Sequence, residues 1–234
     1  MLKGLYKVEV ETRHGSGCGV IVARDGKLFG GNAAFAFAGD CRETGERITV
    51  EISTLRHNEG PDFKPVPWTG PIVLHGRRED RRYLFEGGTP QLADSAFKAV
   101  MTELSEEAAP PARASGPGGI RNGLYSLTIR MLDGIDRSNT GVMVLHDGTI
   151  RGGDALFDYV GAYSSADGRW KGEIINHEHT PSRGERPVFG GYEVGIGFSG
   201  TYDADGAEGE ATALAGKRSI RFKAVLRKLV EAEA

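Results

Sequence analysis

Gly19-Val20-Ile21-Val22-Ala23-Arg24-Asp25-Gly26 returns in the same chain as Gly141-Val142-Met143-Val144-Leu145-His146-Asp147-Gly148. Gly30-Gly31-Asn32-Ala33-Ala34-Phe35 returns as Gly152-Gly153-Asp154-Ala155-Leu156-Phe157, and both matches are offset by 122 residues. Gly39 with Gly161, Glu51-Ile52 with Glu173-Ile174, and His57 with His179 share that offset. Gly4-Leu5-Tyr6 reappears as Gly123-Leu124-Tyr125, and Phe97-Lys98-Ala99-Val100 as Phe222-Lys223-Ala224-Val225 at an offset of 125. The order is kept while the spacing drifts, so the chain is a duplicated unit of about 110 residues. Solenoid units run roughly 20 to 50 residues, whereas a unit of this size is a domain.

The stretch Glu106-Glu107-Ala108-Ala109-Pro110-Pro111-Ala112-Arg113-Ala114-Ser115-Gly116-Pro117-Gly118-Gly119 has linker composition. The expected organisation is a first repeat over 1–106, a Pro/Gly/Ala linker over 107–121 and a second repeat over 122–234.

Within each repeat the apolar period is two. Tyr6, Val8 and Val10 alternate with Lys7, Glu9 and Glu11, and Tyr125, Leu127, Ile129 and Met131 with Ser126, Thr128 and Arg130. Ile48, Val50 and Ile52 follow the same rule, as do Tyr192, Val194, Ile196 and Phe198. Such alternation marks half-buried antiparallel strands. Asp25-Gly26, Asp147-Gly148 and Asp205-Gly206 are hairpin-turn dipeptides. The last segment of each repeat fits a helical face through Phe97, Val100, Met101 and Leu104, yet Ile220, Phe222, Ala224 and Leu226 alternate strictly. Strand is preferred, because 210–227 reads as a hairpin and a closing strand paired with the first removes the sheet edges. Seven or eight short strands per repeat with no βαβ rhythm give an all-β fold, a small closed barrel or a sandwich.

Composition agrees. Thirty-five glycines in 234 residues favour short strands and tight turns over helices. With 29 basic against 32 acidic residues there is no basic excess for phosphates, so direct nucleic-acid binding is not expected. No stretch approaches the ~20 apolar residues of a membrane helix, and the first residues reach charge too early for a signal peptide. Two cysteines, Cys18 and Cys41, read as reduced thiols of a cytoplasmic protein with no membrane partner.

No catalytic constellation emerges. The chain has no Gly-x-Ser-x-Gly elbow, no phosphate-cradling Gly-x-x-x-x-Gly-Lys-Ser/Thr and no strand-to-helix Gly-x-Gly-x-x-Gly. His177-Glu178-His179 corresponds to Arg56-His57-Asn58 in the first repeat, so the histidine pair occurs once and lacks a third ligand; a solvated loop is expected there, with no metal and no cofactor. Arg77-Arg78-Glu79-Asp80-Arg81-Arg82 reads as an exposed charged hairpin tip. The expectation is a protein that is not an enzyme. Inward positions that would line a barrel cavity are Tyr6, Val8, Phe35 and Phe37 in the first repeat and Tyr125, Leu127, Phe157, Tyr159 and Phe198 in the second. The tyrosine hydroxyls favour the second repeat as the holder of a small ligand.

The succession Gly-Leu-Tyr, Gly-Val-x-Val-x-x-Asp-Gly and Gly-Gly-Asp/Asn resembles the GrlR-like negative regulators of type III secretion. It is carried by Gly123-Leu124-Tyr125, Gly141 to Gly148 and Gly152-Gly153-Asp154 with Gly161, and by their counterparts in the first repeat. The resemblance implies lipocalin-like antiparallel barrels, a homodimer in single-copy members and a cytoplasmic regulator that contacts another protein, such as a transcriptional regulator. In those regulators an acidic run after the Gly-Gly-Asp strand grips the partner. Here the corresponding loops carry Arg42, Glu43 and Glu46, and Ser164, Asp167 and Arg169, and neither is an acidic run. These six are the positions where a partner would touch. The reading is thus two tandem barrels forming a non-enzymatic, regulatory binding protein, with the repeats packed as a pseudo-dimer. The alternative is a carrier or sensor of a small apolar ligand held in a barrel.

Overall fold

A computed structural model describes residues 2–60, 70–90, 92–132, 138–182, 188–189 and 191–232. The first repeat forms β1 (Gly4–Thr12), β2 (Gly15–Arg24), β3 (Lys27–Gly31), β4 (Phe35–Thr44), β5 (Arg47–Arg56), β6 (Ile72–Glu79), β7 (Arg82–Thr89) and β8 (Leu92–Glu103). The second forms β9 (Gly123–Met131), β10 (Ser138–His146), β11 (Thr149–Gly153), β12 (Phe157–Ala166), β13 (Arg169–Glu178), β14 (Glu193–Tyr202), β15 (Gly206–Ala215) and β16 (Arg218–Glu231). Each set is an up-and-down antiparallel barrel closed by its last strand on its first, with Val8 opposite Met101 and Leu127 opposite Leu226. The ambiguous terminal segments are therefore strands, and the closed barrel prevails over the sandwich. Closure satisfies every strand edge, which an open sheet of this length would leave exposed.

Period-two patterning is realised as apolar inside and charged outside. Leu28, Ile48, Val50 and Phe97 are buried in the first barrel, and Leu145, Ile150, Trp170 and Phe222 in the second. Glu51, Lys171 and Glu173 point outward and are exposed. This is the reverse of a membrane-spanning barrel, which turns its apolar band outward.

The turn dipeptides hold in two of three cases. Asp25-Gly26 (φ 48° and 77°) and Asp147-Gly148 (φ 43° and 77°) take the paired positive φ of a type I′ turn, and so does Asp167-Gly168 (φ 51° and 73°). Asp205-Gly206 does not. There the Asp203 carboxylate accepts hydrogen bonds from the Asp205 and Gly206 amides (2.8 and 2.9 Å), so a side chain closes a longer loop. Arg77–Arg82 forms the β6–β7 tip, where Arg77 pairs with Glu79 at 2.7 Å and Asp80 takes a positive φ of 55°.

The barrels touch along β2 and β3 of one and β10 and β11 of the other. Leu5, Val20, Ala36, Leu124, Val142, Val144 and Val160 form a shared apolar cluster. The contacts come in exchanged pairs. A Cβ on Gly31 would meet Val142 Cγ1 at 2.9 Å, and one on Gly153 would meet Val20 Cγ1 at the same distance. Asn58 Nδ2 donates to Thr140 Oγ1 (2.9 Å), while Thr180 Oγ1, at the position matching Asn58, lies 3.7 Å from Cys18 Sγ, at the position matching Thr140. Reciprocal pairing of this kind defines an isologous interface, here within one chain.

The segment that reads as linker lies against the second barrel. Arg113 pairs with Glu173, the Gly116 amide donates to Ser165 O (2.8 Å), and Ile120 is buried in the second core. Glu106 accepts from the Leu5 amide (3.0 Å) and pairs with Arg151, bridging the two barrels.

Candidate ligand site in the first barrel

The Gly-Gly-Asn/Asp motif builds the β3–β4 and β11–β12 loops identically. Gly31 and Gly153 adopt φ of 153° and 157°, and the following side chain caps the loop. Asn32 Oδ1 accepts from the Ala34 and Phe35 amides (both 2.9 Å), and Asp154 Oδ1 from the Leu156 and Phe157 amides (2.8 and 2.9 Å). The repeated histidines serve the same loops: His57 Nε2 lies 3.0 Å from Asn32 O, and His179 Nε2 3.4 Å from Asp154 O. Burial holds the His179 imidazole down at about 4 and also lowers His57. The solvated-loop expectation fails on both counts: His177 is exposed and pairs with Asp158 but lies on β13, and His179 follows the strand but is largely buried. Among the described residues no group of three or more His, Cys, Asp or Glu could hold a metal.

At this end the barrels differ. Gly17, Asn32, Phe37 and Thr54 of the first occupy positions held in the second by Asn139, Asp154, Tyr159 and Asn176. The second set is a buried polar cluster: Tyr159 OH donates to Asp154 Oδ2 (2.7 Å), and Asn139 Nδ2 approaches the same oxygen (3.4 Å). Burial raises the Asp154 carboxyl above its usual range, and these donors offset that only in part. Val188 and Phe189 pack on this cluster from the loop, with Phe189 5.1 Å from Phe222. Phe198 packs at a tilt of 49° against Trp170, with centroids 4.5 Å apart, over Gly172, where a Cβ would sit 2.6 Å from the Phe198 ring. The space these described residues enclose in the second barrel is about 50 Å³.

In the first barrel the inward groups are smaller. Val8, Val10 and Thr12 stand where the second has Leu127, Ile129 and Met131, Cys41 where it has Tyr163, and Leu74 where it has Phe198. Among the described residues this leaves a cavity of about 780 Å³, walled by aliphatic and phenyl groups and opening between the β1–β2 turn, the β3–β4 loop and the end of β5; the positions matching Val188 and Phe189 lie outside the described residues. That volume lies within the usual range for small-molecule sites, roughly 300–1,000 Å³. Ala155 of the second repeat also lines it, so the interface shapes its mouth.

Of the expected cavity residues, Val8, Phe35 and Phe37 line the first space and Leu127, Phe157, Tyr159 and Phe198 the second. Tyr6 and Tyr125 line neither. Each is buried at the opposite end, donating to a backbone carbonyl (Lys3 O at 3.0 Å, Arg121 O at 2.7 Å). The inward direction is right, but the height along the barrel makes them end plugs. The expectation that the second repeat offers the ligand space is likewise reversed: Tyr159 spends its hydroxyl on Asp154, and the room is in the first. The residues offered for partner contact, Arg42, Glu43 and Glu46 on β4–β5 and Asp167 and Arg169 on β12–β13, are exposed, and Ser164 is half-buried. Cys18 and Cys41 are free; burial pushes the Cys41 thiol up to about 11. What sequence reasoning missed are Asp154, Asn139 and Asn176, signalled only by polar residues at inward positions of the second repeat.

No protein-family model matches this chain, and no curated protein matches it. Among solved structures, the chain is similar to a crystal structure described as "a putative outer membrane protein" from Bacteroides fragilis NCTC 9343, at 12% identity over 97% of this chain and 96% of that one. The TM-score is 0.28, too low for the likeness to carry an argument.

Proposed function

We propose that this protein binds, without chemical conversion, a small apolar ligand in its first barrel, while the second barrel is a filled scaffold. The observation that carries this reading is the asymmetry of the interiors, about 780 Å³ against about 50 Å³ in the same fold. A packed core tolerates few voids larger than a water, so a space this large in one barrel costs stability unless something occupies it. A second reading, regulation by contact with another protein, draws on the resemblance to GrlR-like regulators. It is supported by the isologous pairing of the barrels, which matches the homodimer the resemblance implies. The two readings meet if the ligand sets what the protein contacts.

The test is uptake of the uncharged fluorescent probe N-phenyl-1-naphthylamine by the full chain. Ala99→Phe puts a ring into the first cavity and should weaken uptake, because the ring takes part of the space the probe would fill. Uptake with unchanged affinity in this variant would place the probe elsewhere and remove the reading.

A further inference from the structure

The wall of the first cavity also selects by charge, an inference that rests on the proposal that this barrel binds an apolar ligand. Among the described lining residues there is no Asp, Glu, Lys or Arg. The polar groups sit toward the mouth, where His14 and Ser16 of the β1–β2 turn also line it. Asn32 spends its amide on the Cys18 carbonyl and the two loop amides, and Thr12 Oγ1 donates to Gly15 O at 3.0 Å. Thr54 differs. It is half-buried, faces inward across from Phe37, and its hydroxyl makes no hydrogen bond to a described residue. The matching position in the second barrel, Asn176, is also polar and is 3% exposed, so both barrels carry a hydrogen-bonding group at this height of an otherwise apolar wall.

We propose that the first barrel takes an amphiphile with an apolar body and an uncharged hydrogen-bonding head, an alcohol, amide or ketone, whose head meets Thr54 Oγ1. An ionised head drawn in behind its tail would shed water with no Asp, Glu, Lys or Arg among the described wall residues to replace it. An uncharged head loses far less, and Thr54 offers both a donor and an acceptor. The volume equals that of about 26 waters at their liquid density, enough for a medium-length chain or a compact ring system.

The experiment displaces N-phenyl-1-naphthylamine from the full chain with 1-decanol, decanoate and decylammonium at neutral pH. Decanol should displace the probe at a concentration lower by roughly tenfold or more than either ion. Thr54→Val, which keeps the shape and removes the hydroxyl, should raise the decanol concentration required by about two- to tenfold once the variant's own affinity for the probe, titrated first, is taken into account. Decanoate or decylammonium matching decanol would overturn the uncharged head, and a Thr54→Val chain that responds to decanol like the parent would overturn the role of Thr54. A protein that takes up no probe at all would overturn the cavity reading instead, and this inference with it.

Discussion

The two barrels share strand number, strand order, closing pair and the capped Gly-Gly-Asn/Asp loop, yet one is nearly solid and the other holds about 780 Å³. Ile48 of the first answers Trp170 of the second, and the ring over a strand glycine is Phe85 on Gly76 in one and Phe198 on Gly172 in the other. Each barrel pairs an aromatic ring with a glycine gap, but on different strands. Backbone pattern and interior volume are therefore separate quantities. Turns and alternation set the first; the sum of side chains across eight strands sets the second.

That comparison can be broken most directly by truncation. Trp170→Ala empties a closed interior and removes the Nε1 hydrogen bond to Glu208 O (3.0 Å), so it should cost about 3–5 kcal/mol. Phe37→Ala borders space that already exists and should cost less than half as much. Equal losses in denaturant titration would mean that the barrels are packed alike.

Acid should act through the histidines that hold the mouth loops. His179 titrates at about 4 instead of its usual 6.5, so the fold favours its neutral form. That contribution is complete above 6.5 and is lost as the pH falls towards 4, in all roughly 3 kcal/mol. His57 is shifted the same way. His179→Gln should flatten the acid limb of Tm against pH; a limb left unchanged would show that His179 is not buried as described.

The smallest effect sharpens the polar difference. Burial raises Asp154, so its contribution is present in acid and lost as the pH climbs through the raised value. Asp154→Asn installs the first repeat's residue, keeps the loop cap and removes the buried charge. Relative to the parent it should gain stability as the pH rises above the usual carboxyl range, where the parent must ionise a buried group. A variant that instead loses ground as the pH rises would mean the four donors hold the carboxylate ionised.

The fold was legible because a barrel hairpin is a local object. Alternation and an Asp-Gly turn can be read from some ten residues, and the repeat supplies each hairpin twice. The closing strands 92–103 and 218–231 were harder, since their apolar spacing also suits a helix and only pairing with β1 and β9 decides it. The site was legible in direction but not in height or volume. Tyr6 and Val8 alternate inward alike, yet one plugs the floor and the other lines the cavity. Which barrel is hollow depends on residues that meet across strands, such as Leu74 against Val50 and Phe198 against Gly172, and no single stretch displays those pairs. Asp154 stands in the sequence only as the last residue of a Gly-Gly-Asp motif; that one of its oxygens caps the loop and the other anchors a buried tyrosine needed the neighbouring strand.

The close approaches of Gly31 to Val142 and of Gly153 to Val20 have an evolutionary side. When two identical chains meet across a twofold axis, every substitution is made twice, and a change that hollows one subunit hollows its mate. Joined in one chain, the partners inherit separately. One barrel can then be solid and the other hollow while the shared face that binds them stays matched. A seam that can no longer be exchanged allows one half to specialise at the other's expense.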